Sequence, residues 1–212
     1  MTGSKEELVS ELAYVRTLAE EGRDAPLIGG RYYVIWGGLM GLAGLVSYLE
    51  ATGLVTFSLF GGAVPWLVAG ALGWALSFTV GGAAGKKPGA MTLGNKTAMA
   101  AWLGVGIFMT VFFAAAMLLH YAPSSFSNRP PYIFLLMFPV AFGLYGVAFM
   151  ATATASRLAW LNIFSALSWA FSVICLVFAG SVHQLLAGSI GTFLCAALPG
   201  LLLMRAEPRD IV

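Results

Sequence analysis

Between Arg31 and Met204 the chain carries six apolar stretches in close succession, and none holds an Asp, Glu, His, Lys or Arg at its middle. The stretches run approximately Arg31 to Leu49, Phe57 to Gly82, Thr97 to Tyr121, Tyr132 to Ala155, Leu158 to Gly180, and Leu185 to Met204. A helix needs roughly 20 mostly apolar residues to cross about 30 Å of hydrocarbon. Inside lipid no water can satisfy the backbone, so each stretch must be helical. The pattern therefore predicts an all-α, six-helix transmembrane bundle.

Composition excludes the other classes. Charged residues make up 9% and hydrophobic residues 59%, against about 25% charged in an ordinary soluble domain. So few charges cannot cover the outside of a soluble chain this apolar. Three regions follow: residues 1–30 as a cytoplasmic amphipathic helix and connector, 31–205 as the membrane domain, and 206–212 as a cytoplasmic tail. The first two dozen residues are polar and acidic. That is unlike a cleavable signal, so the first span is expected to act as its own targeting signal.

Basic residues set the expected orientation. Lys5, Arg16, Arg23, Arg31, Lys86, Lys87, Lys96, Arg157, Arg205 and Arg209 fall on one side of the six-span plan, and Arg129 alone on the other. Both termini are therefore expected in the cytoplasm. Three odd spans open alike, with Arg31 before Trp36, Lys96 before Trp102 and Arg157 before Trp160. The even spans each carry a proline, Pro65, Pro139 and Pro199. This suggests three hairpins in parallel orientation, although any helix that starts inside tends to show a cation and an indole. Each proline removes a backbone hydrogen bond, so it is expected to mark a kink whose freed carbonyl needs a partner.

Packing faces are visible in three spans. Gly37, Gly41, Gly44 and Tyr48 share one face of the first, with Tyr33 a turn earlier, and Gly37 and Gly41 form a GxxxG step. Such a step admits another backbone closely, either within the chain or at a subunit interface. Asn162, Ser165, Ser168, Ser172 and Cys175 form a polar stripe on the fifth span, facing Gly188, Thr192, Cys195 and Pro199 on the sixth. Intramembrane polar groups face protein or water. The stripe is thus either glue between helices or the lining of a wet path.

The chemistry that is missing also informs. No mid-span ionisable group is present to relay protons. No base accompanies a nucleophile inside the membrane, and the Gly188-Ser189-Ile190-Gly191 string is read as packing. Cys175 and Cys195 show no metal or redox spacing and are read as buried apolar residues. Glu50, His120 and His183 are scattered near the expected outer face, where simple solvation is the first reading and a weak metal or proton-sensing site the second. Neither an enzyme, a metal nor a cofactor is expected. The charge balance of +2, without a basic run, gives no case for nucleic acid.

Ahead of the spans, Ser4 and Glu7 form a capping box, and Leu8, Leu12, Val15 and Ala19 an apolar stripe. Residues 1–24 hold three basic and six acidic side chains. That charge disfavours adhesion to an anionic leaflet. Docking on the basic links Lys86, Lys87 and Lys96, on a second copy in a homo-oligomer, or on a membrane-protein partner is expected instead.

The stretches FGLYGVAFMATATASRLAWL (Phe142 to Leu161) and LPGLLLMRAEP (Leu198 to Pro208), with ELAYVRTLAEEG near the start, resemble segments of uncharacterised six-helix bacterial inner-membrane proteins. The resemblance implies a multi-pass protein of the bacterial cytoplasmic membrane and transfers no activity. The residues themselves lead first to a passive channel or facilitator for a small neutral or weakly polar solute, lined by Asn162, Ser165, Ser168, Ser172 and Thr192. The alternative is a non-catalytic accessory subunit of a membrane assembly. A substrate-binding subunit of an importer comes third.

Overall fold

In a computed structural model of the chain, Val9 and residues 11–13, 26–56, 61–84, 92–121 and 133–207 are described. Within them every regular element is helical: α1 (Gly30–Ala51), α2 (Val64–Ala84), α3 (Leu93–Tyr121), α4 (Met137–Ser156), α5 (Leu161–Val177), α6 (His183–Thr192) and α7 (Leu198–Ala206). Short 3-10 turns, Gly61–Ala63 and Ile133–Leu136, lead into α2 and α4. A π-helical turn, Phe193–Ala197, joins α6 to α7 into one rod from His183 to Ala206.

Five of these helices are long and apolar enough to cross a membrane: α1, α2, α3, α4 with its leading turn, and the α6–α7 rod. The fifth expected span is shorter than its apolar stretch. Arg157 ends α4 in the left-handed region at φ 57°, and α5 then begins only at Leu161. At its other end Gly180, φ 84°, turns the chain into α6. The 17 residues of α5 reach about 25 Å at 1.5 Å each.

The tightest seam runs between α1 and the α6–α7 rod. A β-carbon on Gly37 would collide with the Ala197 backbone, and one on Gly41 would stand 2.8 Å from the Phe193 ring. Gly30 and Gly200 bring their two backbones together at the end where α1 starts. Ser189 donates its hydroxyl to the Gly41 carbonyl across this seam. The glycine face read from the sequence is therefore filled by the chain's own last rod. The π turn lies on this face, just ahead of Pro199, which cannot donate to the Cys195 carbonyl and whose ring crowds it. Widening the helix by one residue is a known way to absorb such a conflict.

The second seam joins α4 and α5. The buried Ser165 donates to the Gly146 carbonyl (2.6 Å), and Ser172 donates to the Pro139 carbonyl (2.7 Å). Phe142, Phe149 and Leu161 are fully buried nearby. At the Arg31 end, the segment before α1 is stapled by two side chains. Asn95 Oδ1 accepts from the Ile28 N–H (2.7 Å) and its Nδ2 donates to the Pro26 carbonyl (3.0 Å). The buried Glu207 carboxylate accepts from the N–H groups of Gly29 and Gly30, each at 3.0 Å. An anion there suits the positive end of α1 and occupies donors that the helix leaves free.

The prolines do not act alike. Pro65 and Pro139 sit in the first turns of α2 and α4, so neither kinks a helix interior. The carbonyl four residues before Pro139 belongs to Leu135, and Gln184 Nε2 donates to it at 2.6 Å. Of the N-terminal appendage only Val9 and residues 11–13 are described; they are helical and exposed. The Ser4–Glu7 capping box, most of the apolar stripe, the Lys86–Lys87 link and Arg129 lie outside the described residues.

Candidate functional site: a cavity between two wings

Helices α2 and α3 are the wings. α2 packs on α1 and α3 packs on α4, while no extensive pairing joins α2 to α3 among the described residues. The first expected repeat reappears here as a hydrogen-bond pattern. Trp36 of α1 donates its indole N–H to Ser77 of α2 (2.9 Å), and Trp102 of α3 donates to Thr152 of α4 (3.2 Å). In each hairpin an indole near the Arg31 end spans to a hydroxyl on the following helix. Trp160 departs from this and packs edge-on against Phe164 at 5.7 Å.

Holding the wings apart leaves a cavity of about 2180 Å³ between them, floored by α1, α4 and the rod. Its α1 lining runs from Tyr32 to Ala51, about 28 Å of helix rise and so close to the thickness of a hydrocarbon core. Ligand pockets of soluble proteins are usually about 300–1,000 Å³. Four of the six tryptophans line it: Trp36, Trp66, Trp74 and Trp102. Methionines add deformable apolar surface, Met40 from α1 and Met99, Met109 and Met117 from α3. The wings are bridged by Trp74 donating to Thr110 at 3.2 Å. That bridge is itself exposed, on a side that no extensive helix contact closes among the described residues.

Several of the polar groups that face this cavity are already engaged. Ser77 and Thr110 accept from the indoles, and Thr192 donates to the Gly188 carbonyl. Gln184, 4% exposed, bridges two chain ends: its Nε2 donates to the Leu135 and Cys175 carbonyls. Two hydroxyls differ. Ser47 Oγ and Tyr33 Oη are buried side-chain oxygens without a hydrogen-bond partner, in residues 6% and 8% exposed. Tyr33 approaches Thr152 without completing a bond, and Thr152 already accepts from Trp102. Both residues lie on α1 and both line the cavity. A buried oxygen without a donor is uncommon and costly.

The residues singled out in the sequence are placed as follows. Ser165 and Ser172 give their hydroxyl protons to α4 carbonyls, and Ser168 gives its own to the Phe164 carbonyl (2.7 Å). Asn162 is exposed. Of the proposed pathway residues only Thr192 lines the cavity. Glu50 and His120 share the cavity's far end. His183 stacks between Tyr48 (6.4 Å) and Phe178 (6.3 Å) instead, and no group of metal-ligating side chains occurs among the described residues. Cys175 and Cys195 are free and buried. Gln184 was not singled out, although it lies four residues before Gly188, on the face already read from the rod. Ser47 gave no signal beyond a hydroxyl on an apolar helix.

No family model matches the chain, and no curated protein or solved structure matches it either.

Proposed function

We propose that this multi-pass membrane protein takes amphiphilic, lipid-class molecules from the bilayer into its α1–α4 cavity and facilitates their passage along it. The observation that carries this reading is the cavity itself, which runs along α1, is lined by Trp and Met, and is not closed by extensive contact between α2 and α3. Most of that wall is apolar, which suits an acyl chain better than a polar solute. The hydroxyls of Ser165, Ser168 and Ser172 support a gluing role, because each already has a carbonyl acceptor. The proposal includes six spans in the bacterial cytoplasmic membrane, with both termini in the cytoplasm and no chemical step. The short α5 would complete the sixth crossing with its flanking turns.

Two assays test it. Protein reconstituted in liposomes should accelerate the transbilayer movement of a fluorescent single-chain amphiphile, and mild-detergent preparations should retain amphiphiles detectable by mass spectrometry. Absence of both, together with flux of small neutral solutes, would instead favour a solute channel. Reporter fusions placing the Lys86–Lys87 link outside the cytoplasm would overturn the orientation. With the α1 glycine face occupied internally, any homo-oligomer or partner contact is assigned to the N-terminal segment. Deleting residues 1–24 should then leave insertion intact and lower the assembly size, and an unchanged size would argue against that assignment.

A further inference from the structure

We infer that the Glu50 end of the cavity is a head-group subsite selective for amphiphiles carrying an ammonium group. The inference rests on the cavity being a site for amphiphiles and names which of them it prefers.

Glu50 is the one Asp, Glu, Lys or Arg among the described residues lining the cavity. It lies half-buried in the last turn of α1. Its Oε2 stands 3.8 Å from where a β-carbon on Gly62 would sit, so it faces the chain leading into α2. Ser47 is one turn earlier on the same helix face, deeper in the cavity, with its buried Oγ lacking a partner. The two residues present a carboxylate at the mouth and an unoccupied hydroxyl just inside it. Trp66, one turn beyond Gly62, also lines this end and holds Phe138 edge-on at 5.5 Å. An indole is an aromatic surface that attracts an organic cation.

The ligand chemistry follows from what these groups lack. An acyl chain can fill apolar space but brings nothing to Ser47 or Glu50. A carboxylate or phosphate head would meet Glu50 as a like charge. An ammonium head supplies several N–H donors. One can pair with the Glu50 carboxylate as a charge-assisted hydrogen bond, and another can reach Ser47 Oγ, while the chain lies along the Trp and Met wall. His120 lines the same end, with its ring edge-on to Phe134 at 5.4 Å.

The test uses the full chain in a non-ionic detergent and three chain-brominated probes: dodecylamine, dodecanol and dodecanoate. Bromine quenches nearby indoles, and four line the cavity. The wild type should bind the amine about tenfold more tightly than the alcohol, with dodecanoate weakest, and Glu50→Gln should bring amine and alcohol within about twofold. Glu50→Asp, which keeps the charge, should keep the preference. Ser47→Ala should weaken the amine. Retained alcohol quenching in each variant reports that the cavity is still formed. Equal binding of all three probes by the wild type, or an amine preference that survives Glu50→Gln, overturns the head-group subsite and leaves the cavity reading intact. Quenching by none of the probes overturns the amphiphile reading itself.

Discussion

Gln184 offers the sharpest test of how this bundle satisfies its backbone. Its side chain is buried, and Nε2 donates to the Leu135 carbonyl at 2.6 Å and to the Cys175 carbonyl at 3.0 Å. The first is the carbonyl that Pro139 deprives of its i→i−4 donor; the second belongs to the last turn of α5. One amide therefore ties together α4, α5 and α6. Gln184→Met keeps the length of the side chain and removes both bonds. A buried bond is worth about 1 kcal/mol net, and leaving an acceptor orphaned costs about 1–3 kcal/mol. Measured intramembrane bonds are weaker, averaging about 0.6 kcal/mol. For two bonds the expected loss is about 2 kcal/mol. Reversible unfolding in mixed micelles, followed by tryptophan fluorescence, reads it directly. A second arm isolates the proline. Pro139→Ala restores a backbone N–H that can reach Leu135, so Gln184→Met should cost about 1 kcal/mol less in that background. A loss below about 0.5 kcal/mol, or the same loss in both backgrounds, would refute the claim that this amide replaces the donor lost at Pro139.

Three further outcomes are expected. Gly37→Leu should destabilise the fold by about 3 kcal/mol or more, because its β-carbon meets the Ala197 backbone. The adjacent Gly38→Ala, with open space around it, should be neutral or stabilising by up to about 1 kcal/mol in the same unfolding assay. Glu207→Gln should cost about 0.5–1 kcal/mol by removing charge from the α1 cap, and Glu207→Ala should cost more because Gly29 and Gly30 lose their acceptor; melting temperatures rank the two. Cys175 and Cys195 should resist a membrane-permeant maleimide until the protein is unfolded, since both are buried.

The helical class and the glycine face were legible because both follow from local rules. Apolar length makes helices in lipid, and Gly37, Gly41 and Gly44 at helical spacing mark a close backbone approach whatever the partner. The partner itself was not legible: nothing in the residues of α1 distinguishes a neighbouring subunit from the chain's own last rod. The α5 boundaries were misjudged because hydropathy sees only apolarity. It cannot see that Arg157 adopts a left-handed turn and leaves Leu158 to Trp160 outside the helix. Of the polar stripe, Ser165 and Ser172 bond α4 and not the last rod, and Asn162 is exposed; a hydroxyl three or four residues from another reads the same whether its proton goes to water or to a carbonyl of either neighbour. The cavity was the least legible feature. Its wall is made from tryptophans and methionines on four elements, and each one alone is an ordinary membrane residue.

The two faces of α1 explain why a cavity persists beside so tight a seam. On one face Gly30, Gly37 and Gly41 let the rod approach backbone to backbone. On the other, Trp36 reaches across to α2, where its six-membered ring lies 2.8 Å from where a Gly73 β-carbon would stand and its N–H finds Ser77. The indole is thus a spacer as well as a tether, and Trp102 plays the same part between α3 and α4. Water would drive such a gap closed. In lipid that driving force is absent, since acyl chains are as apolar as the wall, and the two indole bonds fix each wing on its own neighbour, α2 on α1 and α3 on α4. A gap kept open in this way has no need of polar groups along its length. That leaves the absence of mid-span charge, the feature that first removed proton relays and acid–base chemistry, as a condition for an apolar ligand. It also makes the Glu50 carboxylate at the mouth the natural place for selectivity.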